Sequence, residues 1–192
     1  MNGAALFSTD NGDNCGTFLW QPPTDLVLGG LFYPDSVSNT NDSLFSIDST
    51  SDGDFQLNAG ETDEFNNVVN SNLAGVMEEG VNRLDTWFIT ILKLDFPNTT
   101  AALYVNGVER QTSTMTQALG SDGTLGMMVN RSGAQAVTGH CRFFFATEDL
   151  TDATRQLYEG YMAWAAGTGP DQDFTALLPS GHPYKNSAPP AP

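Results

Sequence analysis

Histidine, cysteine and grouped carboxylates are the side chains on which hydrolytic, redox or metal chemistry most often rests. This chain spaces them poorly for that work. Its histidines are His140 and His182, and its cysteines are Cys15 and Cys141. Nucleophilic catalysis needs a nucleophile beside a base. His140 and Cys141 are neighbours within a stretch that reads as a strand, so their side chains point to opposite faces and make no pair. The two cysteines form no metal or redox motif. Structural thiols are expected in a reducing compartment, and spacing alone leaves a Cys15–Cys141 disulfide open.

Glycoside hydrolysis needs two carboxylates placed across the scissile bond. The nearest approach is "ETDEF", residues 61–65. Glu61 and Asp63 alternate, but Glu64 adjoins Asp63 and faces the other way. An alternating set of three is therefore incomplete by one residue, which argues against an enzyme and ranks a glycoside hydrolase last. Calcium takes several oxygen ligands from a flexible loop. "DNGDN" (10–14) and "DSTSDGD" (48–54) offer Asp10, Asp13, Asp48, Asp52 and Asp54 as weak candidate ligands, without a full EF-hand pattern. Asp and Asn also favour such turns for their own hydrogen bonding. Sugar sites set aromatic rings beside a few polar groups. Of Trp20, Trp87 and Trp164, the last two fall in patterns that read as core. Trp20, followed by Gln21-Pro22-Pro23, is left as the weak glycan-binding candidate.

The elements that must position these residues follow from composition and pattern. The 192 residues are 40% hydrophobic and only 16% charged, with abundant glycine and small polar residues. That length suits one domain with a substantial core, and the mixture suits short strands joined by polar turns. Asp and Glu number 23 against 7 Lys and Arg, a net charge of −16. Such a charge repels nucleic acid and anionic membranes, so neither is an expected partner. It suits solubility, cation binding or docking on a basic protein surface. The N-terminal stretch lacks a basic segment followed by an apolar run, so no secretory signal is read there, and a cytoplasmic folding site is expected. No run reaches the roughly 18 apolar residues of a membrane span.

Strands are expected at 17–23, 26–34, 43–49 and 54–60, with a bulge or tight approach at Gly29-Gly30. In "SLFSIDS", Phe45 and Ile47 share a face and Leu44 is out of step. Residues 61–85 read as loop with one weak strand near Val68. "TWFITILKLDF" (86–96) is almost continuously apolar and β-branched, as a strand buried on both faces would be. Pro97 ends it. "TTAALYVNGVERQT" (99–112) is a hairpin about Asn106-Gly107, a type I′ turn pair. Residues 125–131 and 139–149 give two more strands. One helix is predicted near 151–166, capped by Thr151 or Asp149 and closed at Gly167. Ala153, Leu157, Tyr161 and Trp164 define its expected apolar face. Many short antiparallel strands and one late helix imply two packed sheets.

Three segments carry a resemblance. "DTWFITILKLDFPNTTAALYVNGVER" resembles the strand pair of concanavalin A-like, laminin-G-type jelly rolls, in which a Trp opens a long strand and a hairpin with a "LYVNG" turn follows. "GHCRFFFATEDLTDATRQLYEGYMAW" is similar to the last strand and following helix of that family. "LLPSGHPYKNSAPP" resembles the ending of a subgroup found in tailed-phage virion proteins and bacterial surface proteins. The likeness spans roughly residues 82–190. The "DGxxDY" opening strand is missing, and Ala165-Ala166-Gly167 replaces the Lys-Trp-Gly common after the helix.

The resemblance implies an all-β, concanavalin A-like jelly-roll sandwich of two antiparallel sheets with one C-terminal helix. The expected organisation is an arm at 1–16, the sandwich at 17–178 and a proline-rich strap at 179–192. Tyr161 and Trp164 are expected to pack the helix, and His182 to serve structure within the strap. The implied role is a non-enzymatic virion protein of a tailed bacteriophage: a capsid decoration or cement protein, a head fibre or a tail-associated protein. Its partners would be capsid or tail components in a multicopy or homo-oligomeric assembly, with cell-surface glycan as a further ligand. A lectin-like carbohydrate-binding module is the alternative.

Overall fold

The computed structural model describes residues 17–20, 25–49, 55–61, 64–71, 77–115, 123–127, 137–148, 151–169 and 172–190. The strands run in chain order as β1 (Thr17–Trp20), β2 (Asp25–Ser36), β3 (Ser43–Ser49), β4 (Phe55–Glu61), β5 (Glu64–Ser71), β6 (Met77–Glu78), β7 (Phe88–Asp95), β8 (Thr100–Val105), β9 (Val108–Thr114), β10 (Gly123–Met127) and β11 (Thr138–Thr147). Helix α1 (Asp152–Ala166) follows. A short ladder of β12 (Thr168–Gly169) with β13 (Gln172–Asp173) and a 3-10 turn at Phe174–Leu177 come next. The sheets have the orders β1-β10-β3-β4-β5-β6 and β11-β2-β7-β8-β9. Every pairing in them is antiparallel. The expected jelly-roll sandwich is what the chain forms.

Two apolar layers explain the strand patterns. The first lies between the sheets and includes Phe32, Phe45, Phe65, Phe88, Leu92 and Leu103. The second lies on the far side of the five-stranded sheet, where Val27, Leu31, Ile89, Ile91 and Phe145 meet Tyr158, Met162 and Ala163 of α1 and Phe174 of the 3-10 turn. β7 is central in that sheet and is covered on both faces, which is why its sequence does not alternate. Leu44 is out of step because a register shift between Ser43 and Phe45 inserts it as an extra residue. It therefore reaches the inter-sheet core together with Phe45.

The local chemistry fits these elements. Asn106 and Gly107 take φ of 52° and 74°, as a type I′ turn requires. The Asn106 side chain accepts from the Ile89 N–H at 2.9 Å, which pins the turn to β7. Gly29 and Gly30 show the close approach and not the bulge. A Cβ at Gly29 would lie 2.7 Å from both Ile91 Cγ1 and Thr90 O, and one at Gly30 would lie 2.5 Å from Phe143 O. The stretch 61–85 holds more strand than expected. β5 runs for eight residues and β6 adds a short edge.

Helix α1 starts where expected, with the Thr151 hydroxyl accepting from Thr154 N–H, and Gly167 follows its end at φ 133°. Its buried face differs from the expected one. Arg155, Tyr158, Glu159, Met162 and Ala163 are buried, while Ala153 is exposed and Leu157, Tyr161 and Trp164 are partly covered. The face is rotated because two charged residues are inside. Arg155 Nη1 donates to both oxygens of Glu159, at 2.7 and 2.8 Å. His182 Nε2 lies 3.1 Å from the same carboxylate. Paired charges can be buried where single ones cannot. His182 is thus a buried structural residue of the C-terminal segment. Tyr184 packs over Gly160, its carbonyl accepts from Trp164 Nε1, and Lys185 Nζ donates to the carbonyls of Thr175 and Leu178. These contacts hold residues 178–185 against α1. No described helix is long and apolar enough to cross a membrane.

Candidate functional site

Among the described residues, none covers the outer face of the five-stranded sheet where α1 ends. Antiparallel pairing sets His140 of β11 opposite Tyr33 of β2. Alternation then puts Tyr33 and His140 on the same outer face as Leu31 and Phe145. Trp87, one residue before β7, joins them. Its ring centroid is 5.3 Å from that of Tyr33 and 6.3 Å from that of His140, and Phe174 meets it edge-on at 5.3 Å.

Two irregularities in the β2–β11 ladder supply the polar groups. One register shift falls between Cys141 and Phe143, so Arg142 is an inserted residue. The second falls between Thr138 and Gly139, opposite Asp35. Bulges commonly re-aim side chains beside functional sites. Here they flank His140 and bring Asp35 and Arg142 to the same opening. Gly139 permits the second, because a Cβ there would lie 2.2 Å from Tyr33 O. The Asp35 carboxylate is 3.6 Å from His140 Nε2, with both side chains nearly half exposed.

The Arg142 guanidinium lies 5.3 Å from the Trp87 ring and 5.0 Å from the Phe174 ring. One Nη donates to the Ala166 carbonyl at the end of α1, and the other is 3.5 Å from Gln172 Oε1. Tyr33, Asp35, Trp87, His140, Arg142 and Gln172 line a groove of about 540 Å³. Rings that can stack on an apolar ligand face stand beside a carboxylate, an amide, an imidazole and a guanidinium. The arrangement offers a ligand hydrogen bonds in several directions beside rings it can stack on.

The residues singled out from sequence fall elsewhere. Trp20 is in β1, where its backbone pairs with Gly123 in the six-stranded sheet, whereas the groove belongs to the five-stranded one. Asp48 is in β3, opposite Thr124. Asp10, Asp13, Asp52 and Asp54 lie outside the described residues. Among the described residues no three His, Cys, Asp or Glu side chains come together as a metal would need. "ETDEF" straddles a hairpin, with Glu61 opposite Glu64 across the β4–β5 turn. Cys141 is a buried thiol beneath β11, while His140 faces out, as their adjacency predicts. Trp87 and Trp164 are not inter-sheet core residues. Trp87 lines the groove, and Trp164 binds the C-terminal segment.

No family model and no curated protein matches the sequence. Solved structures share the fold. Domain 4 of AbnA, a GH43 extracellular arabinanase from Geobacillus stearothermophilus solved with arabinotriose, matches at 14% identity and TM-score 0.55 over 77% of this chain and 76% of that one. The heptameric SAP-like pentraxin of Limulus polyphemus matches at 11% identity and TM-score 0.52, over 86% and 83% of the two chains. The NanB sialidase of Streptococcus pneumoniae matches at 15% identity and TM-score 0.51, over 79% of this chain but 27% of the sialidase. At these identities the likeness establishes the jelly-roll sandwich.

Proposed function

We propose that this chain is a non-enzymatic glycan-recognition module and that it binds through the Trp87 groove. One observation carries the reading: Trp87 and Tyr33 share an open groove with Asp35, His140, Arg142 and Gln172. Sugars present apolar C–H faces and a rim of hydroxyls. Rings beside planar polar side chains complement both features. The fold likeness to an arabinanase domain solved with arabinotriose supports this use of the scaffold. A glycan array, run with calcium and then with chelator, tests it. Saturable binding to a defined glycan class supports the reading, and silence across a broad array overturns it. Binding that survives chelation places recognition in the groove's own side chains. Binding lost to chelation points to Asp10, Asp13, Asp48, Asp52 and Asp54 as calcium ligands.

The sequence resemblance to tailed-phage virion domains, with the net charge of −16, supports a second reading of context. The module is carried on a particle as a decoration, fibre or tail-associated protein and docks on a basic virion surface. Mass spectrometry of purified particles tests this. Absence of the chain from them removes the virion context and leaves the glycan reading intact.

A further inference from the structure

We infer that the glycan taken by this groove carries a carboxylate and that Arg142 receives it. The inference rests on the glycan reading above and adds the ligand's chemical class. Acidic side chains outnumber basic ones 23 to 7 in this protein, so a cation finds a carboxylate easily. Arg83 and Arg110 reach Glu79, Lys93 reaches Asp152, and Arg155 reaches Glu159. Lys185 is committed to two backbone carbonyls within the C-terminal segment. Arg142 is the described arginine with no carboxylate partner among the described residues, and it is the one that lines the groove.

A structural role accounts for part of Arg142. Helix α1 has no basic residue in its last turn, and one Arg142 Nη donates to its terminal carbonyl at Ala166. A cation there is favourable to the helix dipole. That contact uses one Nη. Among the described residues, the other has only the 3.5 Å approach to Gln172 Oε1. The bond to Ala166 and the rings of Trp87 and Phe174, 5.3 and 5.0 Å away, hold the guanidinium over an apolar surface, which costs it hydration. A planar fork held in this way, with donors unspent, is suited to a carboxylate. Asp35 of β2 and His140 of β11 lie further along the groove, so a ligand's hydroxyls can meet them while its acid group stays on Arg142. Uronic acids and nonulosonic acids are two sugar types that bear that group.

The test titrates the full chain with matched pairs: tetragalacturonate against its carboxyl-reduced counterpart, and 3′-sialyllactose against lactose. The inference expects at least one acid to bind about tenfold or more tightly than its neutral partner. The preference should shrink as salt rises from 0.05 to 0.5 M by ordinary screening. In Arg142→Gln the acid-to-neutral ratio falls to near one. In Arg142→Lys, which keeps the charge and loses the fork, it falls part way. Near-ultraviolet circular dichroism checks that both variants fold. Because the pairs are also compared on the wild-type protein, the result does not depend on either variant. Equal affinity within both pairs overturns this inference and leaves the glycan reading standing. Binding to none of the four probes also overturns it, and the array then decides separately whether the glycan reading falls.

Discussion

Replacing Glu159 with glutamine tests how the C-terminal segment is held. Glu159 is fully buried, and Arg155 and His182 are each 6% exposed. Both Glu159 oxygens accept from Arg155 Nη1, and one also faces His182 Nε2. His182 Nδ1 accepts from the Tyr184 N–H at 3.2 Å, so a neutral ring carries its proton on Nε2 and donates it to Glu159. In Glu159→Gln one amide oxygen must serve two donors, and the new NH₂ group points at one of them. Arg155 is then left nearly buried, with its charge uncompensated. Removing one partner of a buried pair costs about 3–5 kcal/mol. The lower end applies here, because Asp152 lies 3.5 Å from Arg155 Nε and the Tyr104 ring is 4.1 Å from the guanidinium. Nε itself makes no hydrogen bond, so that relief is partial. At about 2–4 °C per kcal/mol for a domain of this size, a loss of about 3 kcal/mol lowers Tm by roughly 6–12 °C. Calorimetry at pH 7 reads this directly. The double variant Arg155→Met/Glu159→Leu should recover part of the loss, because it removes both charges and keeps the volume but leaves the buried His182 Nε2 without its acceptor. A fall below about 2 °C in the single variant, or no recovery in the double, would refute a buried charge cluster as the clamp on this segment.

Three further outcomes follow from particular contacts. Gly139→Ala puts a Cβ 2.2 Å from Tyr33 O and 2.8 Å from Pro34 Cα. It should cost about 1–3 kcal/mol by forcing the backbone apart, and it should weaken glycan binding because it distorts the strand that carries Tyr33 and Asp35. Gly160→Ala brings a methyl within 2.6 Å of Tyr184 Cβ, so residues 178–190 should become cleavable in limited proteolysis before the sandwich does. Burial, and then the hydrogen bond and charge of Glu109, hold the Tyr104 hydroxyl well above the usual tyrosine range. The folded state therefore keeps a proton that the unfolded state loses near pH 10, and stability present at neutral pH falls as pH rises past about 10. Urea midpoints from pH 8 to 11 should fall less steeply in Tyr104→Phe.

The sandwich was legible because its strands obey simple period rules and its turns use the residues those turns need. β7 and the Asn106-Gly107 hairpin show this best. The face of α1 was not legible. Arg155 and Glu159 read as solvent residues until tertiary structure brings His182 to them, and a polarity count places them outside. The groove was hidden for a different reason. Tyr33 and Asp35 alternate within "FYPDS", and His140 and Arg142 do so within "HCR", so each pair signals a shared outer face. That β2 and β11 are neighbours depends on long-range pairing. The bulges at Arg142 and opposite Asp35 depend on register, and only Gly139 marks either in the sequence. Trp87 read as core because it opens an apolar run; it does pack against the outer apolar layer, but it falls just outside β7, where the helix cover ends and its ring also lines the groove.

The most direct test of the central claim is calorimetric titration of one array-identified glycan into the wild-type protein, Trp87→Ala and Trp20→Ala. Each protein is first shown folded by near-ultraviolet circular dichroism. Recognition through the groove predicts a loss of about tenfold or more, roughly 1.4 kcal/mol, in Trp87→Ala and unchanged affinity in Trp20→Ala. Unchanged affinity in Trp87→Ala, with binding lost in Trp20→Ala, would contradict it and move the site to the six-stranded sheet.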